Sequence, residues 1–147
     1  MKFPAILLFV TALSLHAENW PQWRGPRLDG TSLDAAPPTQ WSATENIVWK
    51  TPLPGSGHAS PIVWNDRIFT VAADEKTNDR LLICLDRKTG AIAWKSVVLH
   101  SPPEAIHRLN THASSTPATD GERIFTSFLD KDVVVISAHD FAENRCG

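Results

Sequence analysis

The 147 residues carry 14 Lys or Arg against 16 Asp or Glu, a formal net charge of −2. That balance gives no basic field for wrapping nucleic acid and no cationic cluster for a membrane surface, so both partner classes are set aside. The length supports one domain, or part of one, with a core of its own.

Lys2 and the amino terminus precede an apolar run over residues 3–15 and a small residue at Ala17. This is the pattern of a secretory leader, residues 1–17, with cleavage after Ala17. The run is too short to span about 30 Å of hydrocarbon as a helix, so no transmembrane segment is expected in the mature chain. Export to a periplasmic or extracellular compartment follows. There Cys84 and Cys146 could pair, but Cys84 sits within an apolar stretch and reads more simply as a small buried residue.

Residues 18–57 form a lead-in rich in Trp, Pro and Gly, where Pro21, Pro26, Pro37, Pro38, Pro52 and Pro54 exclude a long helix. One short strand is expected inside it, at 46–50, ending in Trp49-Lys50. Beyond it, short strands separated by turn signals are expected at 60–64, 67–72, 81–86 and 91–97, then at 115–119, 123–128 and 133–138. The first four make one unit and the next three begin a second.

The two units align residue on residue. Ser60-Pro61-Ile62-Val63-Trp64-Asn65-Asp66-Arg67-Ile68-Phe69-Thr70 lies over Thr116-Pro117-Ala118-Thr119-Asp120-Gly121-Glu122-Arg123-Ile124-Phe125-Thr126. Residues 99–111, with Pro102 and Pro103, read as an inserted loop. Repeats of this size with four strands each point to a β-propeller. A blade covered on both faces needs inner strands apolar at successive positions, and Leu81-Leu82-Ile83-Cys84-Leu85 and Val133-Val134-Val135-Ile136 have that character. A two-sheet sandwich is the competing fold.

Each unit also carries a turn. In Cys84-Leu85-Asp86-Arg87-Lys88-Thr89-Gly90-Ala91-Ile92-Ala93-Trp94, Asp86 can accept backbone N–H bonds, Gly90 can take a positive φ, and Trp94 supplies a flat anchor. Ala138, Asp140 and Asn144 begin a degenerate second copy. Asp86, Thr89, Gly90 and Trp94 match a pattern of Ala-x-Asp-x-x-Thr-Gly with a Trp four residues after the Gly, and on these residues the chain resembles the propeller repeats named after pyrroloquinoline quinone (PQQ) enzymes. The opening Trp20-Pro21-Gln22-Trp23-Arg24-Gly25-Pro26 resembles the start of secreted bacterial members. The resemblance implies an all-β, incomplete propeller of four-stranded antiparallel blades, about two of them present at 58–147, from a truncated gene product poorly stable alone. It also implies that Trp94, and by analogy Trp49, dock against an adjacent blade.

The quinone-dependent dehydrogenases of this fold are the catalytic alternative. The resemblance would then require PQQ against a disulfide of adjacent cysteines, and Ca²⁺ held by several oxygens; no adjacent cysteine pair exists here. No catalytic residue, cofactor or metal ligand is therefore assigned. His58 and His112 both precede Ala-Ser ahead of a unit's first strand, which makes them the candidate ligand-binding pair at a blade entrance; the plainer alternative is that each ring bonds a neighbouring backbone group. Ser114 or Ser115 with His112 and Asp120 lacks any nucleophile elbow, and adjacent small polar residues are ordinary in such a loop. Trp20, Trp23, Arg24 and Arg27 form either a recognition surface or, more simply, a buried cap over the first blade. The expected function is an exported, non-catalytic scaffold that binds a protein or small ligand through blade loops.

Overall fold

A computed structural model describes residues 18–34, 36–142 and 146. The leader at 1–17 and the turn residue Asn144 lie outside them. The described residues contain no helix. They form seven strands: β1 (Ile62–Trp64), β2 (Arg67–Asp74), β3 (Asp79–Asp86), β4 (Ile92–His100), β5 (Ala118–Thr119), β6 (Arg123–Asp130) and β7 (Val133–Asp140). All neighbours are antiparallel, in one sheet ordered β1-β2-β3-β4 and a second ordered β5-β6-β7. These are one four-stranded propeller blade and three strands of another.

The repeat is visible in the register. Phe69 faces Cys84 in the first blade and Phe125 faces Ala138 in the second. The hairpin between β6 and β7 turns on Lys131, whose φ of 55° suits a tight hairpin, whereas the β2–β3 connection takes two more residues and turns on Asn78 at φ 61°. That difference accounts for unequal spacing on the two sides of the hairpins.

Two expected strands shrink. The first strand starts at Ile62 and not at residue 60, because the Ser60 N–H donates to Thr116 Oγ1 and the His58 and Ala59 N–H groups both donate to Ala113 O. Pro61 has no N–H to add. The fifth strand is cut to Ala118–Thr119 behind Pro117 in the same way. The strand expected at 46–50 does not form. Among the described residues no sheet edge runs beside that segment, so its backbone has no ladder to join.

The main core lies between the two sheets. Phe69, Val71, Leu82 and Cys84 meet Ile124 and Phe128 across it, with Trp94 and Phe141 packed at its margin. The other face of the first blade holds a smaller cluster of Ala72, Leu81, Ile83 and Leu85. Every position of 81–85 is buried, as a strand covered on both faces requires. The matching stretch 133–136 departs from that expectation. Val133, Val134 and Ile136 are exposed, and β6 alternates, burying Ile124, Thr126 and Phe128 toward the first blade. The second blade has a described neighbour on one side only, so period-2 burial returns.

The lead-in ties the blades together. Trp20 exchanges both backbone bonds with Val63 at 2.8 and 2.9 Å, and Pro21 O accepts from the Thr119 N–H at 2.9 Å. One extended segment thus holds β1 and β5 side by side. Ser56 pairs with Ala73 in the same manner, so close that a Cβ on Gly55 would lie 2.0 Å from Ala73 O.

The turn at Asp86 combines chain reversal with docking. Asp86 Oδ1 accepts from the Thr89 N–H and the Thr89 hydroxyl, each at 2.8 Å, and the Gly90 N–H donates to Asp86 O. Gly90 takes φ 74°, and a Cβ there would lie 2.4 Å from the Trp49 ring. Trp49 Nε1–H donates to Arg87 O at 2.9 Å. Trp94 on β4 of the first blade donates its Nε1–H to Phe141 O, in the turn that follows β7 of the second, at 3.1 Å. Arg87 follows Asp86 as Phe141 follows Asp140, so each Trp clamps the turn of the next repeat at the same atom. The Asp140 carboxylate accepts from the Ala142 N–H, as a turn of this kind demands.

A substitution series separates these contributions. Trp94→Phe, which keeps a ring and drops the N–H, should cost about 1 kcal/mol. Trp94→Ala should cost about 3 kcal/mol, the lower end for a truncated aromatic because this one is only half buried. Gly90→Ala should cost about 2 kcal/mol from its φ together with the crowding against Trp49. Urea unfolding would check all three, and a Trp94→Ala protein with the parent's midpoint would refute the clamp.

Candidate functional site

His58 and His112 are carried on segments that touch, since the backbone of residues 58 and 59 bonds Ala113. Their side chains have different surroundings. His58 is exposed beside the cleft floored by Val71, whereas the His112 side chain is only 5% exposed. His112 Nε2 lies 2.9 Å from Glu104 O. A carbonyl only accepts, so Nε2 carries the proton and Nδ1 faces the Glu75 carboxylate at 3.7 Å.

The inserted loop brings a further group. Arg80 is fully buried, its side chain on the same face of β3 as Leu82 and Cys84, and its Nη2 lies 3.7 Å from Glu104 Oε2. None of the three guanidinium nitrogens of Arg80 has a hydrogen-bond partner among the described residues, nor does Glu104 Oε2. The pair is therefore an ion pair at longer than hydrogen-bonding distance, with His112 Nε2 a further neighbour of the same carboxylate at 3.9 Å. Ser101 Oγ–H donates to Asp130 at 2.6 Å, fastening the start of the loop to the second blade. The 99–111 insertion is accordingly strand up to His100, then a loop pinned by Ser101, Glu104 and His112.

Sequence reading missed Arg80, Glu104 and Glu75. A charged residue at the head of an apolar run, in phase with its buried face, is the signal that could have found Arg80. Glu104 and Glu75 had no local signal, because loop closure alone brings them there.

Behind the loop lies a cavity of about 190 Å³, lined by Glu104, Asn110, Thr111, His112, Ser114 and Ser127 over Phe128. Its hydroxyls are engaged. Ser114 Oγ–H lies 2.8 Å from Thr111 O, and Ser115 and Ser127 share a bond of 2.6 Å. Asp120 accepts the N–H groups of Glu122 and Arg123 at 2.8 and 2.7 Å, so it caps a turn and faces no histidine. The residues weighed for a hydrolase are not assembled into one.

The lead-in cluster divides. Trp20 lies half buried over Gly25, and Arg27 forms an ion pair with Glu18. Trp23 stays 66% exposed with Arg24 stacked 5.6 Å from its ring centre. A buried cap therefore describes Trp20 and not Trp23, whose position past the Val63 pairing leaves it no blade surface to cover. Cys84 is buried and Cys146 exposed, both as free thiols, and burial pushes the Cys84 thiol's pKa up.

Two stacked antiparallel sheets, the first clamped through Trp94 to the turn of the second and itself clamped at its own turn by Trp49, define a β-propeller repeat protein. The chain belongs to the PQQ-type repeat family described as Outer membrane protein assembly factor BamB, matching it over residues 38–140. No curated protein and no solved structure matches it. The family's name raises a quinone and Ca²⁺, and the donor set can be tested directly. Among the described residues no three His, Cys, Asp or Glu side chains converge as a cation site. These residues do not fit the group, and no chemical step is derived through it.

Two outcomes follow from the charges. Glu104→Gln strands the buried Arg80 and should cost about 3 kcal/mol, whereas Arg80→Met combined with Glu104→Gln should recover most of that loss; a urea double-mutant cycle measures the coupling. The Asp86 carboxyl is held below its ordinary range by the Thr89 hydroxyl and N–H, and that of Asp120 by the Arg123 and Glu122 N–H groups. A depressed folded pKa gives stability that is complete above the unfolded value near 4 and lost as pH falls through the folded one. Melting temperature should thus fall as the solution is acidified below about pH 4, and Asp86→Asn should flatten that fall.

Proposed function

We propose that this chain is an exported, non-catalytic propeller scaffold that binds another protein through loops at one face of its blades. The observation that carries the reading is where the reactive groups go. Asp86, Asp120 and Asp140 are engaged as turn caps, Ser115 in a hydroxyl pair, and His112 in a bond to the loop backbone. A repeat in which such groups serve the backbone leaves shape as its product. The family's description as an assembly factor supports a protein as the occupant.

The leader pattern at 1–17 supports export, and no helix among the described residues is long and apolar enough to cross a membrane. The pinned 101–113 loop, with Leu109 66% exposed, is the favoured contact element because Ser101 and His112 tie it down without a partner.

The competing reading is a portion of a quinoprotein dehydrogenase, and it makes a measurable demand. The chain would be titrated with PQQ and Ca²⁺ while Trp fluorescence is followed, then assayed for alcohol-driven dye reduction. The scaffold reading expects neither saturable quenching nor dye reduction. Saturable, Ca²⁺-dependent quinone binding at micromolar concentration would overturn it.

A further inference from the structure

The two blades differ at the inner edge of their second long strand. In the first, Ser56 lies against β2 as a short antiparallel bridge, its N–H donating to Ala73 O at 2.9 Å and its carbonyl accepting the Ala73 N–H at 2.8 Å. Counting back from Pro61 and Pro117, the repeat sets His112 in the place of Ser56, and it sets Leu129 in the place of Ala73. Between His112 and Leu129 no backbone bond forms among the described residues. The His112 ring is held instead by the inserted loop, its Nε2–H donating to Glu104 O at 2.9 Å.

The open stretch of β6 follows from the direction of its amides. The Thr119 N–H donates to Pro21 O, away from β6, so Ala118 is the β5 residue that bonds Phe125. Backbone groups alternate in direction along a strand, and Ser127 and Leu129 therefore present theirs on the same side as Phe125. On that side Ser115 Oγ and Ser127 Oγ share a bond of 2.6 Å, a side-chain contact that closes one end. Beyond it the cavity of about 190 Å³ stands where Ser56 stands in the first blade, with Thr111, His112 and Ser114 on one wall and Phe128 and Leu129 on the other. A peptide N–H and C=O turned toward a cleft are a template for another extended segment.

We propose that this cleft takes an extended, glycine-rich segment of a partner protein, which bonds both backbone groups of Leu129 as Ser56 bonds those of Ala73. This mode of binding rests on the scaffold reading above and deepens it, since the cleft lies directly behind the inserted loop. The first blade dictates the composition of the occupant. There the seated segment is Gly55-Ser56-Gly57, and a Cβ on Gly55 would lie 2.0 Å from Ala73 O and one on Gly57 2.9 Å from Val71 O. The strand itself excludes side chains at those two positions, so a segment fits only with glycine on either side of the bonded residue. Main-chain bonds supply the attraction, and the crowding supplies the selectivity.

A capped Gly-Ser-Gly peptide copies the occupant of the first blade and serves as the probe. Titrated at millimolar concentration into the isotope-labelled full chain, it should shift the Leu129 amide resonance saturably and slow that amide's hydrogen exchange about tenfold. N-methylation of the peptide's serine amide removes the donor to Leu129 O and should weaken binding about tenfold. Leu129→Pro removes an N–H that the β6–β7 ladder does not use, so this variant should melt near the parent and lose the peptide. The N-methyl comparison reads the partner bond in the unaltered chain, whether or not that variant folds. No saturable shift at Leu129, or one that N-methylation leaves unchanged, would overturn the proposal. Shifts confined to Leu109 and its neighbours would overturn it too while leaving the scaffold reading standing, and that reading falls separately, in the quinone titration.

Discussion

The indole N–H of one repeat donating to the turn carbonyl of the next is the contact on which the arrangement of blades depends. A sheet hairpin can satisfy its own ladder, but it has no intrinsic reason to sit at one particular rotation on its neighbour. Trp49 on Arg87 O and Trp94 on Phe141 O set that rotation at equivalent atoms. The bond is directional, and the ring behind it buries apolar area, so orientation and adhesion come from one side chain. Gly90 is required beneath Trp49 because a side chain there would occupy the ring's position.

With rotation set, the remaining contacts fall into place at the two ends of the stack. Near the inner strands, Pro21, Ser60 and residues 58–59 hand backbone bonds from one blade to the next. Away from them, Ser101 reaches Asp130, and the inserted loop closes over Arg80 through Glu104. These polar links shorten β1 and β5, because an amide used between blades is not free for the ladder within one. The fold trades strand length for cohesion between its units.

Much of the fold was legible from residue order. The turn at Asp86–Gly90, the hairpins and the two-unit repeat are local, and their residue types carry their own mechanism. Where the expectation for 46–50 failed, the composition was that of a strand but no edge among the described residues lay alongside. Where Val133–Ile136 proved exposed, the pattern was that of a doubly covered strand, yet the described residues supply one cover. The candidate site was less legible. His112 was singled out by its recurrence with His58, whereas Arg80, Glu104 and Glu75 are distant in sequence and meet only through the closed loop.

Sequence alone determined the all-β class, the two-unit repeat and the Asp-Thr-Gly turn, because strand patterning and turn chemistry are local, whereas the docking of Trp94 and Trp49 was an implication of the family resemblance. Tertiary structure decided what each element is next to: that Trp49 clamps a turn without belonging to a strand, that Arg80 is buried against Glu104, and that one face of the second blade has no neighbour among the described residues. Those outcomes depend on packing between residues far apart in the chain, which periodicity within a strand does not encode.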